Sequence, residues 1–233
     1  MPFSLSQYLE NIRAEEAYLN LQVSADTTHE MIKWLHNIPI PKQVLLNKLP
    51  ERKISHDPAI DHKLVRLAAI ESRIDPKIAL LVHLYIIKLL NRVNYTDTVL
   101  AVRLLEALYA MPPLQIAYGT YPDVAFTDTV NSIYLNHFLF TKEFENAKAH
   151  FKRVPSLSHL FLVVIHEMGH ILVGPTEEAA DEFVSFFLED IVDDLEYTLS
   201  KPFKPNSGFS KTKYYTNKKC ETCSYLLVST YLS

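Results

Sequence analysis

The residues best suited to chemistry in this 233-residue chain lie between His166 and Phe183, in the stretch HEMGHILVGPTEEAADEF. His166 and His170 are four positions apart. On a helix that spacing stacks them one turn apart, so both imidazoles can face one metal ion. Glu167 turns about a quarter-circle away, where a carboxylate can take a proton from a water without joining the ligand shell. Chance is a real alternative in a chain with 10 histidines, and a histidine on an apolar helix is often a satisfied core residue. Gly169 weighs against it. A glycine inside a helix costs about 1 kcal/mol relative to alanine, so it implies close packing. The expected neighbour is a strand beside the helix, supplied by Ser132 to Asn136 (SIYLN).

A zinc centre needs a third protein ligand. Thr176 is a plausible N-cap, and a helix starting at Glu177 supplies a carboxylate. On a wheel at about 100° per residue, Glu177 falls within the apolar face formed by Ala180, Val184, Phe187, Leu188 and Ile191. Asp181 falls at the edge of that face; Glu178, Glu182 and Glu189 fall outside it. A carboxylate on a buried face requires a cation or hydrogen-bond partners. Glu177 as the third ligand meets that need, and Asp181 can fix a histidine tautomer by accepting from its other ring nitrogen. The plainer reading is that acidic residues in a first turn offset the helix dipole. It explains Glu177 and Glu178 equally, and Asp181 less well. Only residues 171–176 join His170 to Glu177, so Gly174-Pro175 must turn the chain sharply.

HEMGH followed by EEAAD resembles the gluzincin zinc metallopeptidases, which carry HExxH on one helix and E-x-x-x-D on another. It is similar to a metallopeptidase family with an HExGH helix and a downstream E-[DE]-x-A-D helix. It is also similar to the phage-repressor-cleaving metallopeptidases, whose second helix reads E-x-x-A-N-x-F. The resemblance covers about residues 125–190. It implies Zn2+ held by His166, His170 and Glu177, Glu167 as general base, Asp181 orienting a histidine, and an upstream strand aligning extended substrate, for which SIYLN stands in position. The link from His170 to Glu177 is shorter than these families usually have. The metzincin pattern fails, because Val173 and Thr176 stand where its glycine and third histidine belong. His137, His150 and His159 remain fallback ligands. Tyr118, Tyr121, Tyr134, His159 and Tyr197 are candidate oxyanion donors, each with aromatic packing as the alternative role.

The elements that must position these groups are mainly helical. Helices are expected over 5–21, 24–36, 58–73, 76–92, 96–110, 142–152 and 158–172, with a short segment at 41–49. Asp57-Pro58 and Asp75-Pro76 each pair a capping carboxylate with a proline at the first helical position. Leu114 to Phe140 changes character, with tyrosine, phenylalanine and valine between turn residues, and two or three short strands fit. The fold class expected is therefore α+β, predominantly helical, with a zincin-like core and a small sheet beside the active-site helix. The expected organisation is a helical N-terminal region (1–110) packed on the core, the zincin-like core (111–200) and a lysine-rich C-terminal segment (201–233), with a single compact domain as the alternative.

Composition narrows the function classes. Apolar residues make up 48% of the chain, enough for a sizeable core. A formal charge of −4 gives no support to nucleic-acid binding. Residues 177–196 hold nine acids and no base, and 201–219 hold six lysines and no acid. The tail could lie across the acidic helix, or the two can be unrelated solvated surfaces. Cys220 and Cys223 form a lone C-x-x-C, read as inert thiols. The N-terminus has no basic leader with an apolar run. The segment IALLVHLYIIKLL is too short to span a bilayer. A cytoplasmic chain without membrane insertion is the default expectation, and export by another route, including as an effector, stays open. The expected function is zinc-dependent hydrolysis of a protein or peptide substrate. The alternatives are a non-catalytic protein-binding module on the same scaffold and a metal-free helical interaction protein.

Overall fold

The computed structural model of the protein describes residues 21–40, 57–141, 148–149 and 157–192. The expected segment at 41–49, the tail from 201 and both cysteines lie outside the described residues, as does the expected helix from Leu5 but for Leu21.

Among the described residues, four helices precede the sheet: α1 (Ala25–Asn37), α2 (Pro58–Glu71), α3 (Pro76–Leu90) and α4 (Tyr95–Leu108). Each begins on a side chain that accepts from an otherwise orphaned backbone N–H. Ser24 receives Thr27, Asp57 receives Ala59, Asp75 receives Lys77 and Asn94 receives Asp97. The two Asp-Pro starts work as their sequence implies. α3 is apolar on nearly every side, and ten of its residues are buried. It packs on α4 and touches both helices of the HEMGH region. Among the described residues, no helix is long and apolar enough to cross a membrane.

A three-stranded sheet follows: β1 (Gln115–Gly119), β2 (Ala125–Thr127) and β3 (Ser132–Asn136), in the order β1-β3-β2. β1 runs parallel to β3 and β2 antiparallel to it. The turn from β2 to β3 is held by Asp128, whose Oδ1 accepts from Val130, Asn131 and Ser132, each at 2.9 Å. These three bonds hold its carboxyl down at about 2. A 3₁₀ turn (His137–Phe140) leads out of β3.

Next come β4 (Lys148–Ala149), β5 (Leu157–Ser158), α5 (His159–Leu172) and α6 (Glu177–Val192). β4 pairs antiparallel with β5, which corrects the helix expected over 142–152. Lys148 and Ala149 spend their backbone groups on a ladder, so pairing with a distant segment overrides local helix propensity there. The rest of that span lies outside the described residues. Ser158 caps α5 through the N–H of Phe161. The architecture is a predominantly helical α+β fold with its small sheet beside the HEMGH helix.

A second correction concerns the strand next to that helix. SIYLN forms a strand with the expected bounds, but it is the central one. The strand packed on α5 is β2, at the sheet's outer edge. Alternation explains the arrangement. Ala125 pairs across from buried Leu135 on one face, and Phe126 stacks on Tyr134 at 4.5 Å on the other.

Candidate metal centre

α5 and α6 form a hairpin. The carbonyl of Gly169 accepts from the N–H of Val173 at 2.8 Å and of Gly174 at 3.3 Å, closing α5. Thr176 then caps α6, its Oγ1 receiving the N–H of Ala179 at 3.2 Å. The sharp turn that the short link demanded is thus built from two ordinary helix ends joined at Gly174-Pro175.

The turn brings the paired faces together. His166 Nε2 lies 3.2 Å from Glu177 Oε2, and His170 Nε2 lies 3.7 Å from Glu177 Oε1. The two imidazoles meet edge to face with centroids 4.8 Å apart. One ligand atom from each of His166, His170 and Glu177 falls within 4.8 Å of the others. Zinc with bonds of about 2.0–2.2 Å places tetrahedral ligand atoms about 3.3 Å from one another. The donor set, two imidazole nitrogens and one carboxylate, fits that ion, and the 3.2 and 3.7 Å histidine–glutamate spacings lie near that figure. The triad is poised to hold a metal and matches the HExxH-plus-glutamate arrangement of gluzincins.

The surroundings complete the picture. His166 Nδ1 lies 3.1 Å from Asp181 Oδ1, which leaves Nε2 turned toward Glu177. Glu167 is buried and stands outside the three-donor cluster. Glu177 and Asp181 keep 41% and 38% of their side chains exposed, so the site is closed behind His166 and open on the α6 side.

The charges pull the two histidines apart. Burial works to lower the pKa of His166, but the hydrogen bonds to Asp181 and Glu177, helped by the negative charge of Glu167, win and push it up to about 10. Burial lowers His170, and the positive charge of His166 adds to that effect against the attraction of Glu177. Without metal, His166 takes the proton and His170 stays neutral.

The remaining sequence candidates fall elsewhere. His137 is exposed, with Nδ1 3.3 Å from Thr120 Oγ1. His159 opens α5 and burial lowers its pKa to about 4. Neither belongs to the three-donor cluster. His150 and Tyr197 lie outside the described residues. Tyr118 packs on Tyr95 and Phe140, and Tyr121 and Tyr134 pack with Phe126.

Gly169 is explained differently from the expectation. A Cβ there would lie 2.7 Å from the Cα of Ala180 and 2.9 Å from its carbonyl oxygen. The close neighbour is therefore the second helix of the hairpin and not a strand. Sequence reasoning placed Ala180 on the apolar face of that helix but missed it as the neighbour of Gly169. Its signal was the i, i+3, i+4 pattern of Glu177, Ala180 and Asp181, which mirrors His166, Gly169 and His170.

Comparison with protein-family models, with curated proteins and with solved structures found no match.

Proposed function

We propose that the protein is a zinc-dependent peptidase acting on a protein or peptide. The observation that carries this reading is the convergence of His166, His170 and Glu177 on one point at the open side of a buried hairpin, with Glu167 next to it. Zinc held by those three side chains supplies Lewis-acid polarisation of a carbonyl and acidifies a water. Glu167 acts as general base, taking the proton of the attacking water and passing it to the departing amine. Asp181 holds His166 in the tautomer whose Nε2 is free to ligate. β2 supports a peptide substrate. It is the outer strand beside α5, and an outer strand offers backbone groups to an extended chain. β3, paired on both sides, does not.

The test is Glu167→Gln on zinc-loaded protein, assayed against a peptide library. Peptide cleavage should fall by about 10²- to 10⁴-fold, the usual worth of a general base, while bound zinc and the circular-dichroism spectrum stay at wild-type values. Cleavage that survives the substitution removes Glu167 from the mechanism. A wild-type protein that binds zinc and cleaves nothing in the library makes the scaffold a binding module.

A further inference from the structure

We infer that Gly169 and Ala180 are positioning residues: their backbone contact sets the separation of α5 and α6 at which one carboxylate reaches both histidines. The inference rests on the metal reading of the site. His166, Gly169 and His170 share one face of α5, and Glu177, Ala180 and Asp181 share the facing side of α6. The metal donors and their supporting aspartate thus flank a contact between two small residues.

The distances define the role. The missing Cβ of Gly169 would meet Ala180 Cα at 2.7 Å, Ala180 O at 2.9 Å and Phe183 Cβ at 3.0 Å. Two of these are backbone atoms, which no rotamer change can move aside. Carbon atoms rest at about 3.5–4.0 Å, so a methyl group at 169 must part the helices by about 1 Å. A bound metal is expected to hold each ligand within about 0.2 Å of its usual bond length. Glu177 could follow the histidines by changing rotamer. Asp181, one methylene shorter, already sits 3.1 Å from His166 Nδ1 and has less reach to give. Parting the helices therefore loosens the histidine as well as the third ligand. Gly169 also carries the carbonyl that closes α5 on Val173 and Gly174, so the same residue fixes where the hairpin turns.

Gly169→Ala tests this through zinc affinity, measured by competition with a chromophoric chelator, and through the visible spectrum of the Co2+-substituted protein. Zinc binding should weaken by about tenfold or more, the usual loss when a supporting shell is disturbed, and the cobalt bands should shift. Leu104→Ala, at a fully buried position of α4, serves as the control for plain destabilisation. It should lower the melting temperature of the metal-free protein and leave both metal readouts unchanged. Wild-type zinc affinity together with an unshifted cobalt spectrum in Gly169→Ala overturns the inference. If that variant does not fold, Ala180→Ser adds an oxygen to the fully buried small residue that faces Gly169, with the same expected loss and the same overturning result. If the wild type itself takes up no zinc, the metal reading falls. The spacing is then decided by crystal structures, in which Gly169→Ala must lengthen the 3.1 Å His166 Nδ1–Asp181 Oδ1 distance; an unchanged distance overturns the inference.

Discussion

Among the described residues, a buried histidine meets a carboxylate at nearly the same distance in two regions, the N-terminal helices and the α5–α6 hairpin. His83 Nε2 lies 3.1 Å from Glu71 Oε1, joining α3 to α2. His166 Nε2 lies 3.2 Å from Glu177 Oε2. The first pair is enclosed on both sides, with Glu71 at 8% exposure against 41% for Glu177, and the His83 ring packs on Phe187 at 4.5 Å. The second faces a further histidine and a further carboxylate, and it opens to solvent. Neither the length of the pair nor the burial of its histidine distinguishes a structural pair from a metal site. A third donor and an open side do, because a metal needs the first and a substrate needs the second.

The sharpest way to break this comparison is to remove each histidine in turn. His166→Ala should abolish stoichiometric zinc uptake, read by elemental analysis after dialysis. His83→Ala should leave zinc uptake intact. It should instead cost about 3 kcal/mol of stability in urea, because the buried Glu71 carboxylate loses its imidazole partner. Zinc lost in His83→Ala at native fold, or kept in His166→Ala, would erase the distinction between the two pairs.

Acid–base behaviour sharpens it further. In the metal-free protein His166 is raised from 6.5 to about 10. Its proton therefore stabilises the metal-free fold fully below pH 6.5, and that contribution is lost as pH rises through about 10. Zinc needs the neutral ring, so at pH 8 uptake must expel a proton from His166, whereas His170, lowered by burial, has none to give. Calorimetry in two buffers of different ionisation enthalpy should count about one proton released per zinc at pH 8. Zinc affinity should climb about tenfold per pH unit until about pH 10. A count of zero would mean that His166 is already neutral and that Asp181 accepts from an uncharged ring.

Much of this was legible in the chain because it is local. The caps at Asp57 and Asp75 and the i, i+4 pair of His166 and His170 each depend on neighbours a few residues away. So did the placing of Glu177 over Glu178, since the apolar face of α6 could be drawn on a wheel. What escaped was long-range. The bounds of SIYLN follow from its side chains, but its central place depends on which strands flank it. A helical glycine says only that something comes close, so the sequence does not tell a strand from the second helix as the neighbour of Gly169. The β4–β5 ladder and the His83–Glu71 pair likewise join segments whose meeting no local pattern encodes.

Glycine use divides the same two regions and leads to the smallest predicted effect. The hairpin takes two of the chain's 4 glycines, Gly169 and Gly174. The helical half closes its helices without any: Val93 after α3 and Ala110 after α4 stand at φ 52° and 53°. After α4, Met111 N–H returns to the carbonyl of Glu106 at 2.8 Å, a closure that normally places glycine at the left-handed position. An L-residue there costs about 1–2 kcal/mol. Glycine removes that cost and gives back about 0.5–1 kcal/mol through its freer unfolded chain. Ala110→Gly should therefore gain about 0.5–1 kcal/mol and raise the melting temperature by about 1–3 °C, with zinc affinity unchanged. At Gly169 the same exchange in reverse should cost metal affinity, because glycine there answers to a neighbouring helix and not to a backbone angle. A lower melting temperature for Ala110→Gly would mean that the methyl group's packing outweighs its strain.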